Sequence, residues 1–238
     1  MLGITCALYD EAVELIPLLK RQKTGSVYHY TGMIENTEVS LFLTGPGLKK
    51  NKNKLQNWLH QHQITTLLQT GYCGALNHRY QPGDVCQIGK VSSIESTEEF
   101  KMTSPDENHD LLTVGHPIFT MEERDDILLK HKADLIDMEA WHICNLLKNH
   151  FSDVKTSVIK IVGDVPGEEL LMEHEVKMRA YFKEFRFLYR IQIAVKTGWP
   201  FFELYKRKRM LQKSLKSAVI KFIHNYHEHP EYHEHKRK

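Results

Sequence analysis

Apolar residues fall in short blocks along this chain, each closed by turn-forming or charged residues. Leu2 to Leu8, Thr65 to Thr70, Val85 to Ile88, Leu111 to Val114, Ala133 to Met138 and Thr156 to Val162 are runs of this kind. Continuous apolar runs of this length read as strands covered on both faces. Val27 to Met33 and Glu38 to Thr44 are expected to pair as a hairpin around Glu35-Asn36. Between the strands, Glu11 to Leu19, Lys49 to His62 and Ala140 to Asn149 have helical spacing, with Leu55, Trp58 and Leu59 on one face of the second and Pro17 shortening or kinking the first. This alternation predicts an α/β fold: a single domain with a central mixed β-sheet flanked by helices.

Towards the carboxy terminus the pattern becomes purely helical. Met178, Phe182, Phe185, Leu188 and Ile191 mark a last core helix over Glu175 to Lys196. Thr197-Gly198-Trp199-Pro200 reads as a break, followed by a helix bearing Leu211, Leu215, Val219, Ile220 and Ile223. The expected organisation is therefore one domain over residues 1–196 and a basic, His-rich helical extension over residues 197–238.

Charge changes that picture only at one end. The 238 residues carry 32 Lys+Arg against 30 Asp+Glu, yet from Lys177 onward the count is 16 against 5, leaving 16 against 25 before it. A basic segment beside the aromatics Phe201, Phe202 and Tyr205 can seat a chain on an anionic membrane surface; the simpler reading is a helix docked on the core with solvated lysines. No nucleic-acid partner is expected. His224, His227, His229, His233 and His235 crowd the tail among Glu228, Glu231 and Glu234, but lack an apolar shell, and no metal is assigned. Cys6, Cys73, Cys86 and Cys144 lie in or beside apolar segments without a Cys-x-x-Cys pair, so packed, reduced thiols in a cytoplasmic protein are expected. Asp10 and Glu11 stand where a secretory signal would carry positive charge, and no apolar run reaches the roughly 20 residues a bilayer demands.

The candidate chemistry is carboxylate chemistry. Glu11 follows the first apolar run, Glu139 closes Asp137-Met138-Glu139, and Asp164 closes Ile161-Val162-Gly163-Asp164. Two glycine-bearing segments, Thr44-Gly45-Pro46-Gly47 and Thr70-Gly71-Tyr72-Cys73-Gly74-Ala75-Leu76, read as turns among them. There is no Gly-x-Gly-x-x-Gly after a strand, no phosphate loop, no Gly-x-Ser-x-Gly elbow and no His-Glu-x-x-His helix, so no cofactor is expected.

In these segments, together with Gly3 to Leu8 and Pro82-Gly83-Asp84-Val85, the chain resembles the nucleoside phosphorylase and nucleosidase superfamily, most closely its 5′-methylthioadenosine/S-adenosylhomocysteine nucleosidases. The resemblance spans about residues 1–195. It implies hydrolytic release of a base from a purine nucleoside by a homodimer, with Asp164 protonating N7 of the leaving purine and Glu11 activating water. It further implies that Glu139 accepts from the ribose hydroxyls while Met138 packs beneath the sugar, and that Tyr72, Gly74 and Phe119 border the base and pocket. That chemistry is physically coherent, because a breaking N-glycosidic bond needs a proton for the base and negative charge near an oxocarbenium-like sugar.

Hydrolysis is favoured over phosphorolysis because Asp10-Glu11 and Gln69 stand where phosphate-binding relatives place arginines. Three positions depart from the family pattern: Tyr72 in place of a small Ser or Thr, Lys160 in place of Arg, and Val165-Pro166-Gly167-Glu168 after the acid. With the short polar stretch Ser92 to Asp110, they point to an altered 5′-substituent pocket. The competing readings are a phosphate-dependent phosphorylase, a non-catalytic nucleoside-binding or membrane-associated module, and a nucleosidase for a lipid-linked adenosine.

Overall fold

The computed structural model describes residues 1–24, 27–48, 50–102, 109–118, 120–168 and 199–228. The expected helix over Glu175 to Lys196, the Thr197-Gly198 break, Phe119 and His229 to His235 lie outside these residues.

Strand β1 (Leu2–Cys6) is buried along its whole length and runs parallel to both β4 (Thr37–Leu43) and β5 (Thr66–Ala75). Its neighbours explain its composition: a strand flanked in the sheet and covered on both faces admits no exposed position. β4 leads outward to β3 (Val27–Ile34) and the edge strand β2 (Lys20–Thr24), both antiparallel. The β3–β4 turn is carried by Glu35 and Asn36 at φ 47° and 60°, the left-handed pair that a tight hairpin requires.

On its other side β5 pairs with β10 (Lys155–Asp164) in parallel and with β9 (Leu135–Asp137) antiparallel. β9 pairs with β8 (His109–Thr113), β8 with β6 (Val85–Ser93), and β6 returns to β10, so β5, β9, β8, β6 and β10 close into a ring. β7 (Ser96–Lys101) hangs on β6. Among the described residues ten strands thus form one mixed sheet.

Helices cover the sheet. α2 (Lys52–Gln61) buries Leu55, Trp58 and Leu59, the expected stripe, with Trp58 stacked on Phe42 and its Nε1 donating to Ser40 Oγ at 2.9 Å. α4 (Ala140–His150) packs Ile143, Leu146 and Leu147 into the same cluster. α5 (Trp199–Glu228) inserts Leu211, Leu215, Ala218, Val219 and Ile223 among Leu2, Ile4, Leu68, Ile159 and Ile161. The carboxy-terminal helix therefore shares the core of β1, β5 and β10.

Several elements differ from the expectation. The helix over Glu11 to Leu19 is only α1 (Tyr9–Ala12) and a 3-10 turn at Ile16–Leu18, with Pro17 at its start, after which the chain enters β2. The helical break extends no further than Gly198, since α5 begins at Trp199 with Pro200 in its first turn, where a missing N–H costs nothing. Helix α3 (Met121–His131) was not expected; Thr120 Oγ1 caps it by accepting from Glu123 N at 3.2 Å, and Lys132 ends it at φ 51°. The segment Thr70 to Leu76, read as a turn, is the second half of β5 as far as Ala75.

Gly3 shows how tightly the core is fixed. A Cβ there would stand 2.8 Å from both Ile64 Cγ2 and Trp58 Cη2. Gly3→Ala is expected to destabilise the protein by about 1–3 kcal/mol through overpacking, read as a lower urea midpoint with unchanged m-value.

Candidate active site

β5 lies between β1 and β10 and also pairs with β9, and the ends of these three neighbours bring carboxylates beside it: Glu11 after β1, Asp164 at the end of β10 and Glu139 just after β9. Glu11, buried on α1 just beyond β1, accepts from Leu8 N at 2.8 Å and from Tyr72 N of β5 at 3.0 Å. Its carboxylate lies flat against Gly71, where a Cβ would stand 2.9 Å from Oε1 and where φ is +147°. The glycine in Thr70-Gly71-Tyr72 thus serves a close approach within a strand. Burial pushes Glu11 above the ordinary carboxylate range, opposed by the Tyr72 and Leu8 amides and by Lys160.

Glu139 is reached from the other glycine segment. Gly45 and Gly47 turn at φ 74° and 66°, and Gly47 N donates to Glu139 Oε1 at 2.8 Å. Burial, then the Asp137 charge, raises Glu139 to about 7 against the opposition of Lys160 and the Gly47 amide. Lys160 of β10 is itself buried, with Nζ 2.8 Å from Asp137 Oδ2. Burial lowers its proton affinity, but Asp137, Glu139 and Glu11 outweigh it, and the ammonium is held above the ordinary lysine value. Asp137 is saturated: Thr113 Oγ1 donates to Oδ1 at 2.7 Å and Ala140 N to Oδ2 at 3.0 Å. A small pocket opens here, lined by Thr5, Thr44, Gln69, Thr70, Glu139 and Lys160 among others.

Asp164 owes its position to an irregularity. β10 stays in register with β5 up to Val162↔Cys73, then slips so that Asp164 opposes Gly74, leaving Gly163 as the extra residue. Such bulges re-aim a side chain at the rim of a sheet. The carboxylate lies against Gly74, where a Cβ would be 3.0 Å from Oδ2, and pairs with Arg124 of α3. Arg124 is buried and also donates from Nη1 to Ala75 O at 2.6 Å. Burial raises the Asp164 pKa, while Arg124 and Arg207 pull it back. Burial is the larger effect, so the pair with Arg124 and a raised proton affinity coexist.

Of the other residues named from sequence, Met138 is half-buried against Leu76, Leu112, Val114 and Ile136, and Tyr72 packs beside the core of β1 and α5. Gln69 donates to Thr156 Oγ1 at 3.1 Å and to Cys144 Sγ at 3.3 Å, away from any arginine-like role. All four cysteines are buried and unpaired. Among the described residues no group of three or more His, Cys, Asp or Glu could hold a metal, and no helix is long and apolar enough to cross a membrane.

Arg124, Asp137 and Arg207 were missed as site residues. Arg124 carried one readable signal, spaced three residues before Ile127 on the buried face of an acidic helix. Arg207 lies in the basic run read from sequence as a solvated helical face or an anionic-surface contact, yet Lys206 reaches Glu203 at 3.5 Å, Arg207 reaches Glu168 at 2.6 Å, Lys208 reaches Asp10 at 2.6 Å and Arg209 reaches Glu14 at 3.0 Å. The run is spent on the protein's own acids.

Comparison with known proteins gives one result in sequence and one in fold. Residues 2–112 match the family model of the phosphorylase superfamily. No curated protein sequence matches the chain. Among solved structures, a futalosine hydrolase mutant of Helicobacter pylori strain 26695 superposes with a TM-score of 0.66 at 14% identity, covering 92% of this chain and 97% of that one. The 5′-methylthioadenosine/S-adenosylhomocysteine nucleosidase of Helicobacter pylori, with butyl-thio-DADMe-Immucillin-A, gives 0.65 at 15% identity over 92% and 97%. That of Colwellia psychrerythraea, in complex with adenine, gives 0.63 at 14% over 74% and 86%. The chain therefore has the fold of the phosphorylase superfamily, with that superfamily's sequence pattern running through residues 2–112.

Proposed function

We propose that this protein hydrolyses the N-glycosidic bond of a purine nucleoside of the methylthioadenosine or S-adenosylhomocysteine kind, releasing the free base. The observation that carries this reading is the convergence of Glu11, Glu139 and Asp164 on adjoining strand ends, each buried in a different electrostatic setting. Glu11 and Asp164 contact β5 at Gly71 and Gly74, roughly 10 Å apart at strand spacing, enough to bracket a ribose and the imidazole edge of its base.

In this mechanism Asp164, with its proton affinity raised by burial, gives a proton to N7 as the C1′–N9 bond breaks. Glu11 takes a proton from water as its oxygen bonds to C1′, so the products are a free base and a free sugar. Glu139, opposite the Gly47 amide, accepts from the ribose hydroxyls. Lys160 is the one cation lining the pocket among the described residues, and Asp137 already engages it, which favours water over a phosphate dianion as nucleophile. In the same reading the enzyme is a cytoplasmic homodimer; the unpaired buried cysteines support the first and the motif resemblance the second.

Base release should be measured by chromatography for adenosine, inosine, methylthioadenosine and S-adenosylhomocysteine, each with and without phosphate. Phosphate-independent release is expected; release only with phosphate overturns the hydrolytic assignment, and binding without release leaves a nucleoside-binding module. Asp164→Asn should lower kcat by about 10²- to 10⁴-fold in a folded protein. A near-normal rate removes Asp164 from the proton-donor role. Glu11→Gln is expected to bind nucleoside but not hydrolyse it, as seen by calorimetry beside the rate assay.

Glu139 also leaves a mark on stability. Its pKa rises on folding from 4.5 to about 7, so the native state binds the extra proton. Its contribution is complete below pH 4.5 and is lost as pH climbs through 7. Relative to wild type, Glu139→Gln should therefore melt higher at pH 8 than it does at pH 4.5. An equal offset at the two pH values would show that Glu139 titrates normally.

A further inference from the structure

The bulge that aims Asp164 is gripped from outside the strand. Arg207, in the third turn of α5, donates to Gly163 O from both Nε at 3.1 Å and Nη2 at 2.6 Å. Nη2 also pairs with Glu168 Oε2 at 2.6 Å, and that same oxygen accepts from Val165 N at 3.1 Å. One guanidinium thus secures the carbonyl before Asp164 directly and the amide after it through Glu168. A bulge residue stands outside the strand ladder, so its backbone is held by whatever partner the rest of the fold brings. The helix that carries Arg207 is anchored in the core by Leu211 and Leu215 and to α1 by Lys208, whose Nζ lies 2.6 Å from Asp10 Oδ2, while Gln212 Nε2 donates to Asp10 O at 3.2 Å. Asp10 adjoins Glu11. The first turns of α5 therefore tie the element that carries Glu11 to the bulge that carries Asp164.

We propose that Arg207 is a positioning residue for Asp164: by clamping the Gly163 bulge it fixes where the carboxyl points, making the carboxy-terminal helix part of the active site. This rests on Asp164 being the proton donor proposed above. Four groups face Asp164 electrostatically: Arg124 of α3, Arg207 of α5, Glu168 beyond β10 and the Cys73 thiol of β5. The two arginines favour the ionised carboxylate, so losing Arg207 raises its proton affinity.

The test compares wild type with Arg207→Gln, Arg207→Lys and Arg209→Gln, the last removing an exposed cation of the same helix whose partners, Glu14 and Tyr205, lie away from the bulge. Three readouts are taken on the full chain: the pH profile of kcat and KM, the titration of the Asp164 carboxyl by ¹³C NMR assigned with Asp164→Asn, and amide exchange over residues 163–168. Arg207→Gln should lower kcat about 10²-fold, the cost of a displacement near 1 Å, with KM within about threefold. The alkaline limb of kcat and the Asp164 midpoint should both move to higher pH, and exchange over residues 163–168 should quicken. Arg209→Gln should match wild type in all three. Arg207→Lys keeps the charge but not the two-nitrogen grip, so kcat should fall and exchange quicken while the midpoint stays.

Unchanged kcat, midpoint and exchange in Arg207→Gln overturn the proposal, as does an equal effect from Arg209→Gln. If Arg207→Gln does not fold, Arg207→Lys decides: normal kcat with normal exchange overturns the clamp. If wild type releases no base from any nucleoside, the functional reading fails, while the NMR midpoint and the exchange rates still decide whether Arg207 positions Asp164.

Discussion

The carboxylates around the pocket depend on one buried cation. Lys160 lies at the meeting point of β10, β9 and the pocket, with Asp137 at 2.8 Å and Glu139 and Glu11 within electrostatic reach. Desolvating one carboxylate costs several kcal/mol, and three in one low-dielectric region could not remain ionised without a compensating charge. Asp137 takes the direct contact, with its two oxygens filled by Thr113, Ala140 and Lys160. Glu139 and Glu11 receive only the field. They therefore keep free lone pairs for a ligand, at the cost of raised proton affinities. A buried ion pair is weak evidence of stability, and here its consequence is a division of labour among acids: one is neutralised so that two stay available.

Asp164 belongs to a separate electrostatic neighbourhood. It faces Arg124 across the end of β5, some three residues of strand beyond the Gly71 position that receives Glu11. The separation matters because the proposed chemistry asks opposite things of the two ends: a base at one and an acid at the other. Burial raises both carboxyls, and each is drawn back towards its anion by its own partners, Glu11 by two backbone amides and Asp164 by guanidinium groups that also orient it. Glycines at Gly71 and Gly74 let β5 run beneath both without side chains intervening.

What the sequence made legible follows from burial. β1, β5, β6, β8, β9 and β10 are apolar runs, and the helices α2 and α4 carry clean stripes, so their places were readable, within a few residues at their ends. The missing elements are those whose stability comes from partners elsewhere. β2 has no apolar residue and exists as an edge strand paired to β3. β7 alternates half-buried and exposed positions, with Thr97, Glu99 and Lys101 outward. Helix α3 buries only Arg124 and Ile127, so its inward face reads as polar. The three carboxylates were found because each closes an apolar run. Arg124, Asp137 and Arg207 were not, because what brings them to the carboxylates is a contact across the fold with no local signature. The basic run 206–209 shows the same limit: as a sequence it looks like an electrostatic surface, and in the fold each of its charges faces an acid of the same chain.

The pairing pattern also bears on the choice between water and phosphate. A phosphate dianion buried near the sugar needs cations not already committed, and hydrogen-bond donors aimed at it. The nucleophile end of this pocket has Lys160, already bound to Asp137, and Gln69, whose amide nitrogen is turned to Thr156 and Cys144. Glu11 adds a negative charge there, worth roughly 4 kcal/mol of repulsion per unit charge at 4 Å in a medium of effective dielectric 20. Water carries no charge to repel and offers a proton that Glu11 can accept. In the proposed reaction the arrangement that would exclude an anion is also the one that prepares a base for hydrolysis, and both follow from the placement of Glu11 against Gly71 of β5.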